Sequence, residues 1–362
     1  MVNLDLQAQL KQAIAPDDAI AHSIFGTTDI TAIQDLLNSY CQQQFGARIF
    51  YCTFAYLSVG ATFVVELSNH QQVVLKAYGP QKNLSSLRAC FQVQQALAEE
   101  GFLCPTVLQL PQRLGATILT AQTFIDDNHT EAESLFKATS ASVQQQWPSQ
   151  LRESPLESMA HVRRTMARAL AQLIERSKHY PQQDLPIWME MNKPGLWHQP
   201  HNVLFDFEKT AAGAEWIDDI AGRAKQILRA ATGPLVIGHS DWSLQNMSFR
   251  QGDLSCVYDW DSLRVGLEPY FVGGAARVYR HDWRFGPPAT AINVAEVQDF
   301  IGAYETARKQ PFTHEEHEVL GAAIAYTTAY GMRCIHAIRE TGDTHYESAK
   351  NQLQQFSNRF LP

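Results

Sequence analysis

The chain has 362 residues, 45 % of them apolar and 18 % charged, a globular composition that excludes a disordered or collagen-like protein and allows two ordinary domains. Lys and Arg together number 29 against 37 Asp and Glu, so the formal charge is −8 and the chain is no obvious nucleic-acid binder. Six cysteines at 41, 52, 90, 104, 256 and 334 form no CxxC pair, and no segment approaches the roughly 20 apolar residues of a membrane span. A reduced cytoplasmic protein without membrane or nucleic-acid partners is expected.

In chain order, apolar spacing predicts helices near Leu4 to Ile14 and Thr31 to Gln43. From Ile49 to Tyr78 the pattern becomes β-rich, with "ATFVVEL" and "QQVVLKAY" divided by the turn-forming Ser68-Asn69-His70. A helix near Leu84 to Glu100 is closed by Gly101, and "ATILTAQTFI" reads as a further strand. Helical spacing resumes at Met159, Val162, Met166, Leu170 and Leu173. More helices are predicted near Ala211 to Ala230, Val294 to Arg308, Thr313 to Ala337 and His345 to Phe356. A β-island from about Val236 to Tyr258 interrupts them. The predicted class is α+β: a β-rich part over residues 1–125 and a helical part over 126–362.

The island carries the densest chemical signal, "VIGHSDWSLQNMSFRQGDLSCVYDWDS", Val236 to Ser262. Gly252-Asp253 is a good two-residue turn between "MSFR" and "LSCVY". Counting outward from that turn pairs Asn246 with Asp259, so two oxygen-bearing side chains should share one face. Such a pair suits Mg²⁺, which takes one or two protein oxygens together with substrate phosphates. Asp241, five residues before Asn246, stands where a carboxylate can accept the proton of an attacking hydroxyl. Phosphoryl transfer needs mainly positioning and charge neutralisation, and these residue types supply both.

"HSDWSLQN" resembles the HxDxxxxN catalytic loop of the aminoglycoside-phosphotransferase and choline-kinase family, within the protein-kinase-like superfamily, and "VYDWDS" resembles its metal-binding segment. "YLSVGATFVVELSNHQQVVLKAYGP" is similar to the family's first strands, and "ALAEEGFLCPTVL" to the helix and link that follow. The resemblance implies a two-lobed kinase-like fold, with a nucleotide-binding N-lobe over 1–125 and a C-lobe over 126–362 carrying the catalytic loop, metal site and acceptor-binding helices. It implies a small-molecule kinase that moves the γ-phosphoryl group of ATP or GTP to a hydroxyl, with Mg²⁺ as cofactor and nucleotide and acceptor as its partners. Asp241 would be the base, Asn246 and Asp259 the metal ligands, His239 a support of the loop, and Gly60 and Lys76 nucleotide-binding residues. A lysine following Val73-Val74-Leu75 is otherwise an edge-strand charge facing water.

Two features depart from the family pattern. The helix after Lys76 offers Cys90, Gln92 and Gln94 where a glutamate usually pairs with the lysine, which leaves a nucleotide-binding pseudokinase as the alternative. The phosphate-covering turn has one glycine, Gly60. No Ala-Pro-Glu segment follows Asp259, which disfavours a protein substrate. For the acceptor, Asp261 and Trp242 are candidates, with Trp260, Glu268, Tyr270, Tyr279 and Trp283 as further members of an aromatic and acidic pocket suited to a hydroxylated amine.

Three other patterns favour plain structure. His314 and His317 are three apart rather than the four of a zinc-protease helix, and Thr313 with Glu316 reads as a capping box. His198 and His201 beside Trp197, and Tyr326 with Tyr330, read as packing.

Overall fold

A computed structural model describes residues 5–125, 155–250, 253–279, 292–338 and 344–362. The chain forms two compact units, one of Met1–Asp126 with His201–Val203 and one of Asp127–Pro200 with Leu204–Pro362.

The first unit opens with three helices, α1 (Leu6–Ala13), α2 (Ala19–Phe25) and α3 (Ile30–Phe45). Each begins on an aspartate: the side chains of Asp5, Asp18 and Asp29 accept from the first free backbone N–H groups. Gly26 and Gly46 close α2 and α3 in the left-handed conformation, at φ 73° and 67°. Five strands follow, β1 (Ile49–Leu57), β2 (Ala61–Leu67), β3 (Gln72–Tyr78), β4 (Val107–Leu114) and β5 (Thr117–Thr123), with α4 (Leu84–Glu99) between β3 and β4. They form an antiparallel sheet in the order β1-β2-β3-β5-β4.

The register sorts the sheet into two faces. Phe63, Val65, Val73, Leu75, Ala77, Leu119 and Ala121 point one way and share a core with Leu6, Leu10, Ile24, Ile33, Leu37 and Tyr40 of the three helices. The opposite face carries Val74 and Lys76 on β3, aligned with Gln122 and Thr120 on β5. There α4 is anchored through Gln94, which donates to Gln122 Oε1 at 3.1 Å and to the Pro105 carbonyl at 2.7 Å.

The second unit contains α5 (Pro155–Arg176), α6 (Glu215–Ala230), β6 (Leu235–His239), β7 (Met247–Arg250), β8 (Asp253–Val257), β9 (Leu263–Leu267), α7 (Glu268–Ala276), α8 (Val294–Arg308), α9 (His314–Ile338) and α10 (Thr344–Phe360). Ile217, Ala221, Ala224 and Leu228 of α6 pack with Ala322, Ala325, Tyr326 and Ala329 of α9. α5 and α8 are joined by a polar clamp: Arg163 donates to Asp299 at 2.7 Å and to the Tyr279 hydroxyl, which donates to Glu296 at 2.8 Å. Burial pushes the Asp299 carboxyl up, but Arg164 and Arg163 outweigh it and hold it below the ordinary carboxylate value.

Candidate functional site

Two short strand pairs build the site in the second unit. β6 runs antiparallel to β9, with His239 opposite Leu263, and Ser240 N–H donates to the Ser262 carbonyl at 2.9 Å. The loop leaving β6 and the segment entering β9 are thereby held side by side. His239 ties them further. One ring nitrogen stands 3.1 Å from the Tyr258 carbonyl, and the other takes the Asp241 backbone N–H at 3.2 Å. That pattern requires a neutral imidazole protonated on Nε2. Burial holds the His239 pKa below its ordinary value, against the pull of Asp259 and Asp241. The ring sits edge-on between Trp242, 5.6 Å away, and Trp260, 6.1 Å away. Both indole N–H groups are used inside the unit, on the carbonyls of Met166 and Val257.

Asp241 is half-buried and enclosed by donors. Its Oδ1 accepts from Ser243, and its Oδ2 from Gln245 at 3.2 Å and Asn246 at 2.8 Å. The Asn246 amide also reaches the Asp241 carbonyl at 3.0 Å. With Nδ2 committed to Asp241, the oxygen of Asn246 is the end left for a cation. A short 3-10 turn, Leu244–Asn246, sets this geometry, and Leu244 N–H is fixed by the Tyr279 carbonyl at 2.7 Å. Ser243 and Gln245 are the holders of Asp241 that sequence reasoning missed; they lie inside the HxDxxxxN span, at positions its pattern leaves open.

The hairpin differs from the expected one. Arg250 pairs with Asp253, so Asp253 belongs to the strand, and the intervening Gln251 and Gly252 lie outside the described residues. Ser255 is an extra residue that bulges β8, because Phe249 pairs with Leu254 while Ser248 pairs with Cys256. The two offsets shift the far end by one position: the Asn246 carbonyl takes Tyr258 N–H at 2.8 Å. Asp259 is therefore not opposite Asn246. It turns out of the ladder in the left-handed conformation, φ 63° and ψ 45°, and Ser262 donates to its Oδ2 at 2.7 Å. The donor set is still an amide oxygen and a carboxylate, both hard ligands of the kind Mg²⁺ takes.

In the first unit, Lys76 lies on β3 between β2 and β5 and is only 7 % exposed, so it is not an edge-strand charge. Gly60 ends the β1–β2 turn, where a Cβ would stand 2.9 Å from the Ala77 carbonyl. No larger residue fits without shifting that turn. Gln94 is fully buried, and its Oε1 has no hydrogen-bond partner; Gln92 is exposed.

Among the described residues, most of those foreseen for an aromatic and acidic acceptor pocket are engaged in packing or in other contacts. Trp242, Trp260 and Tyr279 are core residues, Tyr270 donates to the Leu228 carbonyl, and Glu268 is held by Tyr304 and Arg308. Asp261 is 9 % exposed, and Trp283 lies outside the described residues. Trp197 packs 5.6 Å from Tyr326 and donates to Asp218. Thr313 and Glu316 form the reciprocal cap, and among the described residues no group of three or more His, Cys, Asp or Glu is placed to hold a metal. No helix among them is long and apolar enough to cross a membrane.

Comparison with known proteins agrees with this architecture. No curated protein matches the chain. Among solved structures, an amicoumacin kinase in complex with AMP-PNP and Ca²⁺ is similar at 8 % identity, covering 86 % of this chain and 89 % of that one, with a TM-score of 0.58. The GDP complex of an aminoglycoside 2'-phosphotransferase is similar at 9 % identity, covering 90 % and 98 %, with a TM-score of 0.53. A microcompartment-associated aminopropanol kinase is similar at 14 % identity, covering 91 % and 94 %, with a TM-score of 0.52. At such identities the likeness shows the kinase-like fold. A family model described as the phosphotransferase enzyme family matches residues 57–310, which spans Gly60, Lys76, Asp241, Asn246 and Asp259, and the chain belongs to that family.

Proposed function

We propose that this phosphotransferase moves the γ-phosphoryl group of ATP or GTP to a hydroxyl of a small molecule, with Asp241 as the base. The observation that carries the reading is the enclosure of Asp241 by Ser243, Gln245 and Asn246, which fixes one carboxylate in a loop held by His239. A carboxylate so held orients the acceptor hydroxyl and takes its proton as the oxygen attacks phosphorus. Asn246 and Asp259 are the residues that would hold Mg²⁺, which when bound neutralises phosphate charge. Lys76 meets the nucleotide phosphates as a point charge, and Gly60 lets the backbone of the turn approach them. His239 holds the loop, and its neutral state follows from burial.

We take the acceptor to be a hydroxylated amine. Support comes from the structurally similar kinases, which act on amicoumacin, an aminoglycoside and aminopropanol. Asp261 is the acidic residue kept for that role, whereas Trp242 is assigned to packing because it is 1 % exposed. Six cysteines outside any disulfide suit a cytoplasmic setting.

The decisive assay supplies Mg-ATP or Mg-GTP with a panel of amino alcohols, aminoglycosides, and neutral and anionic alcohols, and follows nucleoside diphosphate and phosphorylated product. Transfer to hydroxylated amines is expected. Good transfer to neutral or anionic alcohols alone removes the amine assignment. Nucleotide binding without transfer to any acceptor favours the second reading, a nucleotide-binding pseudokinase, for which Gln94 in place of a charged helix partner is the specific observation.

A further inference from the structure

Arg277 is the first residue beyond α7, two positions before Tyr279, whose carbonyl holds Leu244 of the catalytic loop at 2.7 Å. Its side chain crosses to α9, where a Cβ added at Gly331 would stand 3.3 Å from its terminal nitrogen. The Nε is enclosed and has no hydrogen-bond partner, and among the described residues no carboxylate forms an ion pair with this guanidinium. Arg308 Nη1 and Arg333 Nε are likewise enclosed without a hydrogen-bond partner, but each of those guanidinium groups has a carboxylate beside it, Glu268 at 2.9 Å and Asp218 at 3.8 Å. Arg163 is matched by Asp299 and Tyr279. What sets Arg277 apart is that it has no such carboxylate among the described residues. Burial pulls the Arg277 pKa down to about 10, and the charge that chiefly opposes this is the Asp241 carboxylate.

An enclosed cationic donor without an acceptor costs more than the ~1–3 kcal/mol of a neutral one, so such a group calls for an anion. Asp241 is not that anion at rest, since Ser243, Gln245 and Asn246 already occupy its oxygens. The anion that arrives beside Asp241 during the proposed reaction is the phosphoryl group, and a guanidinium fork matches phosphate oxygens.

We infer that Arg277 is a further catalytic residue, donating to the non-bridging oxygens of the phosphoryl group as it passes from nucleotide to acceptor. In that step the acceptor oxygen bonds to the γ-phosphorus and the bond to the β–γ bridging oxygen breaks. The nucleoside diphosphate leaves with that electron pair, and the hydroxyl proton goes to Asp241. Arg277 exchanges no proton; it neutralises charge spread over the equatorial oxygens. The assignment rests on the phosphotransfer reading above.

The test uses the full chain, wild type and Arg277→Met, Arg277→Lys and Gly331→Ala. Calorimetry measures Mg-ADP binding with and without aluminium fluoride, a planar mimic of the group in flight. In wild type the fluoride should tighten Mg-ADP binding. Arg277→Met should abolish that tightening, leave Mg-ADP affinity alone unchanged, and lower kcat by about 10²–10³-fold. Arg277→Lys should recover only part, because an ammonium lacks the fork. Gly331→Ala keeps the arginine but displaces it by tenths of an ångström, and should lower kcat at unchanged Mg-ADP affinity. This variant tests the idea even if Arg277→Met fails to fold. Full tightening in Arg277→Met, equal weakening of Mg-ADP alone, or a higher acceptor KM at unchanged kcat would each overturn the assignment. If wild type shows neither tightening nor transfer, the phosphotransfer reading itself falls and takes this assignment with it.

Discussion

Asp241→Asn keeps the shape of the carboxylate but not its basicity, so transfer should fall by about 10²–10⁴-fold while Mg-nucleotide affinity stays within a few-fold. Single-turnover kinetics beside nucleotide titration checks both halves, and wild-type turnover in the variant removes Asp241 from its role. Lys76→Met should instead weaken nucleotide use, because a 7 % exposed lysine on a central strand has no solvation role to fall back on. Unchanged nucleotide affinity and rate would make Lys76 a structural residue. The loop from His239 to Asn246 was legible in the sequence as a motif, because its residues are close in the chain, but the contact of Asn246 with Asp241 inside it was not foreseen. The relation of Asn246 to Asp259 was not legible, since it depended on counting across a hairpin where the turn falls one residue earlier and Ser255 adds a bulge. Nothing in the alternation of "LSCVY" announces that bulge. Asp259 adds a backbone lesson. At φ 63° it occupies a conformation that Asp and Asn tolerate better than other side chains, so Asp259→Asn isolates the loss of charge, whereas Asp259→Ala also adds backbone strain.

Among elements, β6 is tightly constrained, because a Cβ at Gly238 would lie 2.4 Å from the Phe271 ring. Gly238→Ala should therefore cost about 1–3 kcal/mol or more through overpacking, read as a lowered thermal midpoint, and an unchanged midpoint would show that Phe271 can move aside. The clamp between α5 and α8 gives a pH signature. Asp299 has a depressed folded-state pKa, so its contribution is complete above the unfolded value of about 3.9 and is lost as pH falls through the folded value. Asp299→Asn should destabilise by about 1–3 kcal/mol near neutrality. The gap to wild type should hold steady above about pH 5, narrow as pH falls below the unfolded value of about 3.9 and close only below the lower folded value; a gap that never narrows would mean that the ion pair contributes nothing. The predicted α8 and α9 matched the observed helices closely because Asn293 with Glu296, and Thr313 with Glu316, are readable caps. β4 escaped notice because Pro111 interrupts it, which an edge strand with register shifts tolerates. α7 escaped because it is buried on every side and shows no amphipathic period.

On the scale of the whole chain, the family match begins at residue 57, yet the helices before it are part of the same core as the sheet. α2, which pattern reading missed, is seven residues long and visible only in its Asp18 and Gly26 caps. Removing residues 1–46 would bare Phe63, Val65, Leu75 and Leu119, each worth about 1.5–3 kcal/mol when buried. Their sum rivals the ~5–15 kcal/mol that keeps a domain folded, so the truncated chain should fail to fold. A truncated chain with a cooperative melt near that of wild type would show the helices to be an ornament. The same arrangement has a consequence in time. The apolar faces of α1–α3 leave the ribosome ahead of the sheet, and the strand that completes their cover ends only at Thr123. At roughly 5–20 residues per second the nascent chain must carry a sticky, half-made hydrophobic surface for several seconds, a window in which chaperones or neighbouring chains compete with the sheet for it.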